Sequence, residues 1–325
     1  MIITRTPLRV SFAGGATDLP SFYRAYGGGA VTSAAIDRYV HVLVNAKFDR
    51  SIRVAYSRTE NVERLADLQH ELFREALTVT GVHEAVEIHS IADVPGEGTG
   101  LGSSSSLTVG LLNALYAYQG ILKDPAELAR EACEIEIDRL KGAAGKQDQY
   151  IAAFGGTQYF EFHPDDSVRV APIPLSTRDR ETLSEHLSLF YTGQTRKAQG
   201  LLQRQSERTT LNRDALERMR GLAREAREAI VRNDYARLGA ILDEGWVLKR
   251  GLSEGISTGS IDAQYAAAKA AGAWGGKITG AGGGGFLFLV HPPERSHEIA
   301  RALAPMERLK VRIVPEGSRI LFVGR

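Results

Sequence analysis

The sequence holds a single cysteine, Cys133, only two tryptophans, and no uninterrupted apolar run long enough to span a bilayer. One thiol excludes an internal disulfide framework and suits a reducing compartment. The opening residues, Met1-Ile2-Ile3-Thr4-Arg5-Thr6-Pro7, contain no apolar segment of about 7–15 residues of the kind that directs secretion, so a cytoplasmic location without a membrane partner is expected. An excess of one charge is also missing: 40 Lys and Arg face 39 Asp and Glu, a formal net charge of +1. That balance argues against nucleic acid as a partner, because its binding demands a basic surface. What remains is 325 residues of ordinary globular composition, long enough for two domains with real cores.

Glycine is the exception, at 34 residues, and 21 of them fall in a few windows. These are Gly14-Gly15 and Gly27 to Gly29; Gly96, Gly98, Gly100 and Gly102; Gly142, Gly145, Gly155 and Gly156; and eight between Gly272 and Gly285. Clustered glycine marks backbone that takes positive φ or comes very close to something.

Short β-rich stretches come early, at Leu8 to Ala13, Tyr39 to Ala46, Ile52 to Tyr56 and Val86 to Ile91. Glu63 to Val79 reads as an amphipathic helix, with Leu65, Leu68, Leu72, Phe73 and Leu77 on one face. Ser103 to Gln119 repeats apolar residues at helical spacing, and Pro125 opens a further helix to about Leu140. Thr157 to Phe162 and Val168 to Ala171 suggest a hairpin, Leu187 to Tyr191 a strand, and Thr195 to Arg250 a long helical stretch. The remainder mixes helices at Ser260 to Ala271 and Ser296 to Leu303 with strands at Gly285 to Val290, Val311 to Val314 and Arg319 to Val323. The pattern predicts an α+β protein of two domains, 1–180 and 181–325.

The segment Pro95-Gly96-Glu97-Gly98-Thr99-Gly100-Leu101-Gly102-Ser103-Ser104-Ser105-Ser106 follows a strand and opens a helix. Exposed N–H groups at the positive end of a helix dipole form an anion site, and serine hydroxyls add hydrogen bonds to phosphate or ligate Mg²⁺. No Gly-Lys-Ser/Thr ends the loop, and the dinucleotide spacing is absent. A flexible turn with a serine N-cap is the plainer alternative. Lys277-Ile278-Thr279-Gly280-Ala281-Gly282-Gly283-Gly284-Gly285 is a second such element, whose consecutive glycines predict a close backbone approach.

Together with Thr6-Pro7-Leu8-Arg9-Val10-Ser11-Phe12-Ala13-Gly14-Gly15-Ala16-Thr17-Asp18-Leu19-Pro20, these segments resemble the three motifs of the GHMP kinase superfamily, which includes galactokinase, homoserine kinase and mevalonate kinase. One departure is visible: four residues separate Pro95 from Gly100 where the family has three. The resemblance implies a ribosomal protein S5 domain 2-like N-terminal domain, a ferredoxin-like C-terminal domain, and an active site between them. ATP and Mg²⁺ are the implied cofactors. Within the superfamily, the first motif, the serine run and Gly145-Lys146-Gln147-Asp148-Gln149-Tyr150 look most like the kinases that phosphorylate the anomeric hydroxyl of D-glycero-D-manno-heptose 7-phosphate. ATP and a phosphorylated sugar are then the expected partners, and the chain a monomer or homodimer. A kinase for fucose or galactose, or a non-catalytic sugar- or ATP-sensing relative, is the alternative.

Residue by residue, the resemblance implies Asp148 as general base or orienting carboxylate, and Arg9 as the cation beside it that stabilises developing charge. Gly98, Gly100, Leu101, Gly102, Ser103, Ser104 and Ser105 would hold ATP. Ser104 and Glu136 would bind Mg²⁺, with Glu134 and Asp138 as alternatives to Glu136. Asp18, Gly14, Gly15, Gly282 and Gly283 would meet the sugar. From its place at a strand-to-helix junction, Arg196 is the candidate for the substrate phosphate. Each has a plainer reading: first-turn acid, helix-surface acid, Asx turn or solvated arginine.

Overall fold

The computed structural model describes residues 1–95, 98–194 and 198–324. The chain begins with β1 (Ile2–Ala13), the short α1 (Pro20–Tyr23), β2 (Gly29–Ala46), β3 (Ile52–Ala55), β4 (Thr59–Val62), α2 (Glu71–Thr80), β5 (Val86–Ala92), α3 (Ser103–Tyr118) and α4 (Pro125–Cys133). Then follow α5 (Gln147–Phe154), β6 (Thr157–Phe162), β7 (Val168–Pro172), α6 (Thr177–Glu185), β8 (Leu187–Tyr191), α7 (Ala198–Glu207), α8 (Arg213–Val231) and α9 (Tyr235–Leu252). The chain closes with α10 (Gly259–Ala270), β9 (Gly275–Ile278), β10 (Phe286–Val290), α11 (Ser296–Ala302), β11 (Arg308–Leu309) and β12 (Arg319–Val323).

The first sheet runs β12-β1-β2-β5-β3-β4, with β6 on the other half of β2 and β7 on β6. β2 is long enough, at 18 residues, to pair with β6 through Gly29 to Ala34 and with β5 through Val40 to Ala46. Pro7 gives β1 no donor, and the β1–β2 register slips between Pro7 and Leu8. α3 is buried almost all round, which its apolar composition requires, and it packs on β1, β2, α2, α4 and α5. The second sheet, β11-β8-β10-β9, places its strands in the order 4-1-3-2 of their appearance, the split βαβ arrangement of ferredoxin-like folds. The α+β expectation is met.

Three expectations need correction. The helix drawn over Glu63 to Val79 begins only at Glu71, because the Glu60 carboxylate accepts the N–H groups of Gln69 (2.6 Å) and His70 (3.2 Å) and ends the preceding loop there. Val311 to Val314 makes only a single bridge, Ile36 to Ile313. Arg319 to Val323 leaves the C-terminal half and pairs antiparallel with β1. α8 crosses the same division, since Leu222, Ala223 and Ala226 are buried in the core of the first sheet. The helix from Pro125 has an Asp124–Glu127 capping box, and beyond Cys133 it widens into a π turn, Glu134–Arg139.

Candidate active site

A cavity of about 590 Å³ opens between the two halves, in the size range of small-molecule sites, roughly 300–1,000 Å³. Arg9 reaches it from β1, and Asp148 from the second residue of α5. The Arg9 Nε donates to Asp148 Oδ1 at 2.8 Å and Nη2 donates to Oδ2 at 2.7 Å, a bidentate pair. Nη1 donates to the Gly100 carbonyl, and the Arg9 backbone N–H to the Leu101 carbonyl at 3.0 Å. One arginine therefore ties the glycine loop to the start of α5. The guanidinium side chain is 6% exposed and the carboxylate 22%, so Asp148 keeps an open flank toward the cavity.

Asp18 lies in the turn after β1 and is enclosed at 2% exposure. Its oxygens accept the N–H groups of Ala16 (3.1 Å) and Gln147 (3.2 Å). Burial pushes its carboxyl up to about 6, and the negative Asp148 adds to the rise. Gly145 has no room for a side chain, because a Cβ would stand 1.9 Å from Asp18 Oδ2. The two acids thus approach one another over a bare backbone.

The two glycine-rich segments are glycine largely for each other. Gly100 has φ +70°, and a Cβ there would meet the Thr279 carbonyl oxygen at 2.6 Å. Gly280 has φ +60°, and its Cβ would stand 2.6 Å from the Gly100 Cα. Thr279 Oγ1 donates to the Thr99 carbonyl at 2.8 Å and fastens the crossing. α3 starts from Gly102, at φ +79°, so the Ser103, Ser104 and Ser105 end of the helix faces the cavity.

Of the three acids left open by the sequence, Glu136 alone faces this cavity; Glu134 and Asp138 are exposed and line a smaller pocket. Glu136 sits on the π turn, buried, accepting from Ser105 Oγ (2.9 Å) and Gln149 Nε2 (3.1 Å) through Oε2. Its Oε1 has no hydrogen-bond partner in reach among the described residues, although the Thr108 hydroxyl is close enough to favour the charged carboxylate. Burial is the main force that pushes this carboxyl up to about 7. Of the serines in this run it is Ser105 that bonds Glu136, while Ser104 is exposed on the cavity wall.

Other expected residues are placed differently. Leu101 is buried in the core, and its carbonyl holds Arg9. Gly14, φ +90°, lines the cavity, but its lack of a side chain is required by the Ala30 carbonyl, 1.9 Å from a Cβ. Gly15 and Gly282 line the cavity, and Gly283 spends its N–H on the Ile256 carbonyl at 2.8 Å. Arg196 lies outside the described residues.

Two lysines escaped the sequence reading. Lys249, from α9, is 7% exposed and donates to the Gly280 carbonyl. Lys277, from β9, is 8% exposed and lines the cavity. Burial pushes Lys249 down to about 8, with Arg9 adding to the fall. Lys277 was visible as the first residue of its glycine motif, whereas Lys249 was one of many cations on a helical stretch.

The arrangement of a bidentate Arg–Asp pair, a second buried carboxylate and a glycine-rich helix start suits transfer of a phosphoryl group to a hydroxyl. Family comparison agrees. Residues 62–156 match the GHMP kinases N terminal domain and residues 226–306 the GHMP kinases C terminal domain. The chain belongs to the GHMP kinases, and is an ATP-dependent phosphotransferase with an alcohol group as acceptor. Among curated relatives it is 32% identical to the D-glycero-alpha-D-manno-heptose 7-phosphate kinase of Campylobacter jejuni, over 93% of both chains. It is 30% identical to the mevalonate kinase of Methanothermobacter thermautotrophicus, over 83% of this chain and 86% of that one. Among solved structures, a D-glycero-D-manno-heptose 1-phosphate kinase from Bacteroides thetaiotaomicron superposes with a TM-score of 0.83 at 25% identity, covering 100% of each chain. No helix among the described residues is long and apolar enough to cross a membrane.

Proposed function

We propose that the chain is a Mg²⁺-dependent sugar kinase that phosphorylates the anomeric hydroxyl of D-glycero-D-manno-heptose 7-phosphate, giving the 1,7-bisphosphate. The observation that carries the reading is the Arg9–Asp148 pair at the wall of the cavity, reached from one side by the glycine loop and from the other by Asp18. The relative with 32% identity over 93% of both chains supports the acceptor. In this reading Asp148 accepts the proton of the sugar hydroxyl through its open flank, and Arg9 holds the carboxylate in line while stabilising charge on the phosphoryl group. Asp18 accepts hydrogen bonds from neighbouring sugar hydroxyls. The N–H groups at the start of α3 receive the ATP phosphates.

The residues present fit Mg²⁺. The ion needs only one or two carboxylates beside phosphate oxygens and water, and the unpartnered Glu136 Oε1 with the Ser104 and Ser105 hydroxyls nearby supplies such a set. Bound there, the ion would neutralise charge on the ATP phosphates. Glu136→Gln is expected to raise the Mg²⁺ concentration for half-maximal activity by roughly tenfold or more, the scale of losing even an outer contact of a metal site; a Mg²⁺ titration at saturating ATP checks this.

The raised carboxyls also set a pH response. Asp18 and Glu136 work as carboxylates, so kcat/KM should fall as pH drops through 7 toward 6. Stability of the Mg²⁺-free protein should move the other way. Both folded-state values lie above the ordinary ones, so the stabilising contribution is complete at low pH and lost as pH rises through 6 to 7. Thermal midpoints and rates across pH 5–8 check both trends together.

A coupled ADP-release screen over free and phosphorylated hexoses and heptoses tests the acceptor. Turnover on heptose 7-phosphate is expected; turnover confined to an unphosphorylated sugar would reject that acceptor.

A further inference from the structure

Three basic side chains, Arg9, Lys249 and Lys277, share the cavity wall with the acids Asp18, Glu71, Glu136 and Asp148. Arg9 is committed to Asp148 and the Gly100 carbonyl, and Lys249 to the Gly280 carbonyl. Lys277 has neither a hydrogen bond nor an ion pair among the described residues, although its side chain is more than nine-tenths buried. A buried lysine without a counter-charge is costly to ionise, and an anion arriving in the cavity would supply that charge.

Resting on the kinase reading above, we propose that Lys277 contacts a terminal phosphoryl group bound in this cavity, with Lys249 as a positioning residue that holds the Gly280 backbone beside it. Lys277 in β9 and Thr279 just beyond the strand's end both line the cavity. Thr279 is bonded to Thr99, which ties this stretch of wall to the glycine loop, where phosphate is expected. The ligand class follows from the neighbours. At Lys277 itself a metal ion would be repelled by the neighbouring Lys249 and Arg9, and a neutral sugar would bring no counter-charge. A phosphoryl group supplies two or more negative charges and several acceptors for its N–H bonds.

Burial, then the proximity of Lys249 and Arg9, pushes Lys277 well down in the ligand-free chain. An arriving phosphoryl reverses that balance, so binding is expected to draw a proton from solvent. The terminal phosphoryl has two sources here: the γ-position of ATP and the phosphate of the acceptor sugar. One set of variants separates them.

Lys277→Met removes the charge and keeps the stem, and Lys277→Arg keeps a cation. The non-hydrolysable ATP analogue AMPPNP and ADP are titrated calorimetrically into each chain in two buffers of different ionisation enthalpy, and KM for heptose 7-phosphate is measured beside them. If the γ-phosphoryl is held, K277M should weaken AMPPNP at least tenfold, leave ADP within twofold and abolish the proton uptake. If the acceptor phosphate is held, K277M should leave both nucleotides unchanged and raise the KM of the phosphosugar at least tenfold. K277R should recover part of whichever loss appears. Unchanged AMPPNP affinity together with an unchanged phosphosugar KM in K277M overturns the assignment, as does an equal loss of AMPPNP and ADP binding. A wild-type chain that binds neither nucleotide overturns the kinase reading, and this assignment with it.

Discussion

Asp148→Asn should lower kcat by about 10²–10⁴-fold, the usual contribution of a positioned acid or base, while the Kd for ATP stays within a few-fold of wild type. The substitution keeps the shape of the side chain but removes the proton acceptor. It also replaces one acceptor oxygen with an amide NH₂, so the Arg9 guanidinium keeps a single side-chain acceptor and the Gly100 carbonyl and loses its counter-charge. A buried cation left unpaired costs stability as well as rate. The fall in kcat should nevertheless exceed anything expected of a first-turn acid that merely favours the helix dipole, an effect of about 0.3–1 kcal/mol. Single-turnover kinetics at saturating ATP, with the thermal midpoint measured alongside, separates the two. Wild-type kcat in Asp148→Asn would remove the carboxylate from the chemistry.

Gly100→Ala and Gly280→Ala should each abolish measurable turnover and lower the thermal midpoint by several degrees. Both positions have positive φ, which alone costs an L-residue of order 1–3 kcal/mol. Here each added Cβ also meets backbone, at 2.6 Å from the Thr279 oxygen in one case and from the Gly100 Cα in the other. Backbone atoms in a crossing fastened by Thr279 and Thr99 cannot turn away as a side-chain tip can. Gly27→Ala is the control, since its φ is +72° but nothing lies within 4 Å of the added carbon. It should show the conformational cost alone and retain activity. The double variant Gly100→Ala/Gly280→Ala should be less destabilised than the sum of the two singles, because both break one contact. Strict additivity, or full activity in either single variant, would show that the crossing does not shape the site.

The sequence made this crossing legible as an excess of glycine in two distant windows, since so many positive-φ positions have few other solutions. It could not say that the segments meet each other. Gly14 carried the same signal for a different cause, the Ala30 carbonyl behind it. Arg9 and Asp148 were read from their motifs, and the bidentate bond between β1 and α5 brings them together as expected. The choice among Glu134, Glu136 and Asp138 was unreadable, because a π turn shifts which residues share a face. Lysine burial is equally silent in sequence: Lys249 sits on α9 among cations whose apolar stems commonly lie along a surface with the charge in water. The return of β12 to β1 is a non-local pairing that a local β pattern does not specify.

The proposed reaction is phosphoryl transfer from ATP to the anomeric oxygen of a phosphorylated sugar. Phosphorus NMR of wild-type protein with Mg²⁺, ATP and D-glycero-D-manno-heptose 7-phosphate tests it most directly. A new sugar phosphate resonance split by coupling to the anomeric proton is expected, growing in step with ADP while the 7-phosphate signal persists. ADP accompanied only by inorganic phosphate, or a new phosphate at any other carbon, would contradict it.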